Sequence, residues 1–292
     1  NFMISFLQRF DEHPFDVKIH GKTHHIGNGN PTFVVDLKED IEGKELLTST
    51  SLALGEAYMK GNLEVEGDLF EALDSFLGQM DRFSTDRSKL KKLMFTSQSK
   101  KNQEKEVTSH YDIGNDFYSL WLDETMSYSC GYFKHETDTL YEAQCNKVER
   151  ILEKLCLKKD MTLLDLVCRL LLDIGCGWGY LLIRAAKEYG VKGLGITLSH
   201  EQQKEFEERI EKEGLTGQIE VARMDYRELE KSGRQFDRVV SVGMLEHVGR
   251  ANYELFVKNV DSVLKPGGLL LLHYISALKE YPGDPWIKKY IF

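Results

Sequence analysis

The first 80 residues change rhythm several times. "FDVKIHGKTHHIG" (15–27) alternates apolar and polar positions on both sides of Gly21, which predicts a β-hairpin turning at the glycine. "PTFVVDL" (31–37) is β-branched and apolar and predicts a strand. "KELLTSTSLALGEAYMKG" (44–61) carries apolar residues at near-helical spacing and predicts one helix stopping at Gly61; "DLFEALDSFLGQM" (68–80) repeats the pattern. Together these make a small α+β unit. From about residue 140 the grammar changes. "LLLDIG" (170–175), "VKGLGIT" (191–197), "QIEVARM" (218–224), "FDRVVSVG" (236–243) and "GLLLLHYI" (268–275) are short apolar runs. Helical stretches such as "YLLIRAAKEYG" (180–190) and "HEQQKEFEERIEKEG" (200–214) separate them. Apolar strands alternating with helices predict a mostly parallel sheet covered on both faces, an α/β Rossmann-like domain.

Composition narrows the partners. With 292 residues, 41% of them hydrophobic, the chain can bury a sizeable core without metals or disulfides. A net charge of −9 gives no general attraction for nucleic acid. The charge is unevenly spread: residues 82–105 hold eight Lys and Arg against two acids, with Leu90, Leu93, Met94 and Phe95 interleaved. That local reversal suits either a solvated linker or a patch that meets anionic lipid headgroups. The five cysteines (130, 145, 156, 168 and 176) form no CxxC pair and no zinc-spaced cluster, so no metal is expected and reduced thiols of a cytosolic protein fit best. His20, His24 and His25 read as surface residues of the hairpin. "NFMISFLQRFDEHP" is too interrupted for a signal peptide. No apolar run nears the roughly 18 residues of a membrane span, so any membrane contact is expected at the surface. The start at Asn1 and the stop after "WIKKYIF" read as those of a fragment.

The chemistry concentrates at "LLDLVCRLLLDIGCGWGY" (163–180), where an LLD sequence occurs twice. Asp165 leads into "LVCRL", which holds no turn residue, whereas Asp173 leads directly into Gly175, Gly177 and Gly179. Residues 163–170 therefore read as an insertion or duplication, with no role for Cys168. A glycine turn at a strand end that opens a helix is where open α/β sheets bind ligands. The dinucleotide fingerprint G-x-G-x-x-G fails because Tyr180 stands at its last glycine. D-x-G-x-G-x-G suits S-adenosylmethionine instead, whose ammonium an acid such as Asp173 can meet.

The chain resembles the cyclopropane-fatty-acid synthases and, more broadly, the mycolic acid cyclopropane synthases. The resemblance rests on "HYDIGNDFY" (110–118), "MSYSCGYF" (126–133), "LLDIGCGWG" (171–179), "GITLSHEQ" (195–202), "MDYRE" (224–228), "SVGMLEHVG" (241–249) and "KPGGLLLLH" (265–273). It implies a small α+β domain over 1–81, supporting lipid binding or dimerisation, a basic linker over 82–106, and an S-adenosylmethionine-dependent methyltransferase domain over 107–292, truncated at its end. The implied reaction moves a methylene from S-adenosylmethionine to the cis double bond of an acyl chain in a membrane phospholipid. The alkene takes the methyl, a carbocation forms on the acyl chain, and a base removes a methyl proton as the ring closes. By resemblance that base is bicarbonate, held by Cys130, Glu246, His273 and the backbone of Ile275, with a further tyrosine beyond residue 292.

The resemblance also carries the cofactor contacts. Tyr128 and Ser129 reach the methionine moiety, and Asp173, Gly175 and Gly177 form the turn. Thr197 and Gln202 contact the ribose or amino-acid end, and Tyr226 and Arg227 flank the adenine. Thr197 stands where methyltransferases in general use an acid, a departure these synthases share. Tyr128, Tyr132, Phe133, Trp178 and Tyr274 are candidates for shielding a cation from water. A homodimer, a cytoplasmic location and peripheral contact with the inner face of the membrane follow as family expectations. The alternative is a sibling C-methyltransferase acting on a lipid or small amphiphile. A nicotinamide oxidoreductase is disfavoured by Tyr180, and a non-catalytic lipid binder would have no physical reason to keep Cys130, Glu246 and His273 together.

Overall fold

The computed structural model describes residues 2–79, 114–157, 170–276, 278 and 284–290. It divides into two compact units, 1–96 with 281–292, and 97–280. The basic run 82–106, residues 163–169 and Cys168 lie outside the described residues.

In the first unit, helix α1 (Phe2–Leu7) precedes the hairpin of β1 (Phe15–Ile19) and β2 (Lys22–Ile26). His20 and Gly21 take positive φ at the turn, and pairing runs from Phe15↔Ile26 to Ile19↔Lys22, as the alternation predicts. Strand β3 (Val34–Leu37) lies parallel to β1, and β4 (Leu63–Glu66) lies antiparallel to β3, giving the order β2-β1-β3-β4. The core is aromatic: Phe15 stacks on Phe33, and Phe76 meets both edge-on. His20 and His25 bond Asp40 and Asp16 on the surface.

The helix expected over 44–61 is two, α2 (Gly43–Thr48) and α3 (Thr50–Met59). Three consecutive hydroxyl residues break it. Thr48 and Thr50 donate back to the carbonyls of Lys44 and Leu46, while Ser49 goes extended and caps α3 by accepting from the Leu52 amide. Helix α4 (Leu69–Gly78) begins where the Asp68 carboxylate accepts from the amides of Phe70 and Glu71.

The second unit holds α5 (Asn115–Ser119), α6 (Leu140–Lys154) and five parallel strands. The strands are β5 (Leu170–Ile174), β6 (Lys192–Thr197), β7 (Ile219–Arg223), β8 (Phe236–Val242) and β9 (Leu264–His273). Helices α7 (Tyr180–Tyr189), α8 (His200–Lys212), α9 (Leu245–Val248) and α10 (Tyr253–Val263) connect them. Leu170, grouped by sequence with the extra eight residues, is the first residue of β5. The sheet order is β7-β6-β5-β8-β9, so the chain winds outward one way from β5 and then the other way from β8. That switch point opens a crevice at the carboxyl ends of the strands. Two apolar layers sandwich the sheet: Leu152, Leu182, Ala185 and Phe206 on one face, Ile174, Val239, Phe256 and Val260 on the other.

Helix α11 (Pro285–Tyr290) groups with the first unit instead of completing the second. The Trp286 indole occupies the space beside Gly55 that any Cβ would fill, and Lys289 pairs with Glu56.

Candidate active site and cofactor pocket

A cavity at the switch point is lined by the ends of four strands and by the loop before α6. Tyr128, Ser129, Asp173, Gly175, Gly177, Thr197, Gln202 and Tyr226, all expected at the cofactor, line it. The turn after β5 is built by its glycines. A Cβ on Gly179 would sit 2.0 Å from the Phe206 ring, so this glycine lets α7 approach α8. Gly177 has φ +54° and nothing within 4 Å of where a Cβ would stand, leaving the backbone bare toward the cavity.

Asp173, at the end of β5, is 3% exposed and makes no side-chain hydrogen bond or ion pair among the described residues. Burial pushes its carboxyl up to about 7. A buried acid without a partner, facing a cavity, fits a cationic ligand atom. The Thr197 hydroxyl donates to Gln202 Oε1 at 2.7 Å, holding the two expected ribose contacts together, and Ser199 caps α8 through the Gln202 amide. Arg227 departs from expectation: it does not line the cavity. Its guanidinium lies 5.1 Å from the Tyr226 ring centre and 3.5 Å from Asp225. It braces the Tyr226 ring, which does line the cavity.

Helix α6 clamps the loop carrying Tyr128 to Tyr132. Gln144 donates to the carbonyls of Ser127 and Ser129, Lys147 donates to Ser129 Oγ at 2.7 Å, and the Tyr132 amide donates to the Ala143 carbonyl. Trp178, 2% exposed, donates from its indole to Asn115 Oδ1 at 2.7 Å and packs on Tyr118, which touches Tyr128. Of the aromatic candidates, Tyr128 and Trp178 line the cavity. Tyr132 (under the Arg150 guanidinium), Phe133 and Tyr274 lie outside its lining and are exposed.

The expected anion holders lie outside the cavity lining. Glu246 lies in the first turn of the short α9, and its Oε1 accepts from the Ile275 amide at 2.6 Å. That amide, expected to face an anion, therefore meets Glu246 directly. The other oxygen, Oε2, is buried without a hydrogen bond among the described residues, as is Nδ1 of His273 at the end of β9. Burial first, and then the positive charge of Lys147, hold the His273 imidazole below its ordinary value against the opposing pull of Glu246, so it stays neutral at pH 7. Cys130 is an exposed free thiol within electrostatic reach of Lys147.

Sequence reasoning missed Lys147 and Gln144. The available signal was a lysine and a glutamine inside the buried stripe of α6, beside Ala143, Val148 and Ile151.

A parallel sheet with a glycine turn after its first strand, an acid at that strand's end and a cavity at the switch point define the fold of S-adenosylmethionine-dependent methyltransferases. The family model described as mycolic acid cyclopropane synthetase matches residues 98–292, and the chain belongs to that family. A second model, a domain of unknown function (DUF7884), matches residues 2–88. The chain is 42% identical over 271 residues, 91% of its length, to the cyclopropane-fatty-acyl-phospholipid synthase of Escherichia coli K12, of which it covers 67%. It is 38% identical over 270 residues, 90% of its length, to a probable fatty acid methyltransferase of Pseudomonas putida, of which it covers 66%. It thus spans about two-thirds of the length of these relatives. The solved structure of the mycolic acid cyclopropane synthase CmaA1, complexed with SAH and CTAB, superposes with a TM-score of 0.52 at 34% identity, covering 58% of this chain and 55% of that one.

Proposed function

We propose that this chain carries the catalytic domain of a cyclopropane-fatty-acyl-phospholipid synthase, placing a methylene from S-adenosylmethionine across a cis double bond of a bilayer phospholipid. The donor supplies an electrophilic methyl on a sulfonium. The residues of this chain bind and orient the donor and would hold the base. Asp173 meets the ammonium of the donor, Thr197 and Gln202 its ribose or tail, and Tyr226, braced by Arg227, its adenine. An alkene is a weak nucleophile, so holding the two reactants at fixed distance supplies much of the acceleration. Trp178 and Tyr128 keep water away and offer aromatic faces to positive charge developing on the acyl chain.

One observation carries the reading of the base: Glu246 Oε2 and His273 Nδ1 are both buried and both lack a partner among the described residues. Buried polar atoms are rarely left so, and a small ligand that donates and accepts would satisfy both. Bicarbonate does this. Its hydroxyl would donate to Glu246, and its oxygen would accept from the neutral imidazole in the Nδ1–H tautomer. The Ile275 amide would become available if Glu246 turned to the anion, and Cys130 is within electrostatic reach of Lys147. Held there, the anion would supply the base for the methyl proton that must leave as the ring closes.

Support for an acyl substrate comes from the exposed aromatic and aliphatic rim. Trp121 packs edge-on against Tyr128, 5.1 Å between centres, and is 45% exposed, and Leu120 beside it is 80% exposed. Docking on anionic bilayers through residues 82–105, on the inner face of the membrane, and assembly as a homodimer belong to the same proposal. Among the described residues no helix is long and apolar enough to cross a membrane.

The second reading, a C-methyltransferase giving a branched chain, is favoured by the similarity to the probable fatty acid methyltransferase of Pseudomonas putida. Incubation of a full-length protein with labelled S-adenosylmethionine and vesicles of cis-unsaturated phospholipid, followed by mass and proton NMR analysis of the lipids, separates the two. Label in a product with upfield ring protons supports the synthase. Label in a branched chain supports the sibling, and no label in lipid overturns both.

A further inference from the structure

Lys147 is 6% exposed on the apolar face of α6, yet it is an ammonium with three donors. Among the described residues it makes one hydrogen bond, to the neutral hydroxyl of Ser129. A lysine buried in the same lining as Val148 and Ile151 with no carboxylate at salt-bridge distance among the described residues is costly, and burial holds it down to about 8 despite the more distant charges of Cys130 and Asp123. It is also the one Lys or Arg among the described residues lining the cavity. Asp173 lines the same cavity with the opposite charge and the same lack of compensation, and the two make no salt bridge with each other. Asp225, the other lining aspartate, is already met by the Arg227 side chain and amide.

Two buried, opposite and separately unsatisfied charges in one cavity match a ligand that carries both charges a few ångströms apart. An α-amino-acid group does so. We propose that Lys147 receives the carboxylate of the donor's amino-acid tail while Asp173 receives its ammonium, so that this pair orients the sulfonium. The inference rests on the S-adenosylmethionine reading and adds a residue to it. The Ser129 bond then has a purpose beyond packing: it fixes the ammonium beside the Tyr128–Ser129 segment. The titratable groups that act on Lys147 are Cys130 and Asp123 from the loop before α6, Lys147 in turn acts on the neutral His273 of β9, and Asp173 lines the same cavity.

The test is calorimetric binding of three probes to wild type, Lys147→Met and Lys147→Arg. They are S-adenosylhomocysteine, its analogue lacking only the carboxylate, and 5′-methylthioadenosine, which lacks the whole amino-acid tail. Wild type is expected to prefer S-adenosylhomocysteine over the decarboxylated analogue by tenfold or more. Lys147→Met should bring that ratio to within about threefold of unity while methylthioadenosine binds as before, and Lys147→Arg should keep most of the preference. Should Lys147→Met not fold, the wild-type ratio measured against pH decides: it should shrink as pH rises past about 8. A wild-type ratio near one, or a ratio unchanged in Lys147→Met, overturns the inference and leaves the cofactor reading standing. No binding of S-adenosylhomocysteine by wild type overturns both. A Lys147→Met variant altered only in its bicarbonate requirement places the lysine at the anion instead and also overturns the inference.

Discussion

Glu246, with one carboxylate oxygen buried, and Asp173, buried whole, are acids of the second unit whose surroundings give them different work. Glu246 already accepts a backbone bond through one oxygen and offers the other to a ligand. Glu246→Gln keeps the shape and removes the acceptor pair, so turnover should fall by about 100-fold or more while S-adenosylhomocysteine binds within a few-fold of wild type. Rate and calorimetry on the same preparation check this. Asp173 is held for a ligand at a cost to the empty protein. Its raised carboxyl favours folding in the protonated form, and that contribution is lost as pH rises from the unfolded value through about 7. Asp173→Asn should therefore stabilise the ligand-free protein at pH 8 by on the order of 2 kcal/mol while abolishing S-adenosylhomocysteine binding. At pH 4 the gain should vanish. Thermal melts at the two pH values decide it; a destabilised Asp173→Asn at pH 8 would contradict the burial argument.

At the scale of elements, the turn between β5 and α7 couples a binding surface to helix packing. Gly179 takes φ +84° and stands against the Phe206 ring. Gly179→Ala adds left-handed strain and pushes α7 from α8, a combined cost of about 3 kcal/mol, visible as a lowered melting temperature and weaker cofactor binding together. The glycine spacing and Asp173 were legible because a turn this tight admits few residue types. The break at Ser49 was not. Thr48, Ser49 and Thr50 sit well enough in a helical pattern, and the break follows from where their hydroxyls bond. Lys147 was hidden for a related reason: a lysine in a helix usually faces solvent, and only the packing of α6 on the loop at Ser129 turns this one inward.

For the whole molecule, charge is the legible quantity. A net charge of −9 with eight basic residues gathered in 82–105 predicts attraction to anionic vesicles confined to one segment. Sedimentation with phosphatidylglycerol vesicles should decline steeply between low and physiological salt, and reversing Lys89, Lys91 and Lys92 to glutamate should reduce it further. Binding indifferent to both would remove the docking role. The grouping of α11 with the first unit was beyond reach of the sequence, because a helix of six residues carries no sign of which surface its Trp286 will cover.

The amino-acid sequence by itself determined the two units, the five-stranded parallel sheet and the glycine turn with its acid, since these follow from periodicity and from backbone geometry that few residues tolerate. The motifs carried the remaining site residues by resemblance alone. Only the tertiary structure decided which of those residues share a cavity, that Arg227 braces Tyr226 from outside it, that the Ile275 amide meets Glu246, and that Lys147 and Asp173 stand in one cavity with no ion pair among the described residues. Those outcomes depend on distances between segments far apart in the chain, and burial, which sets the cost of an unmatched charge, exists only once those segments have packed.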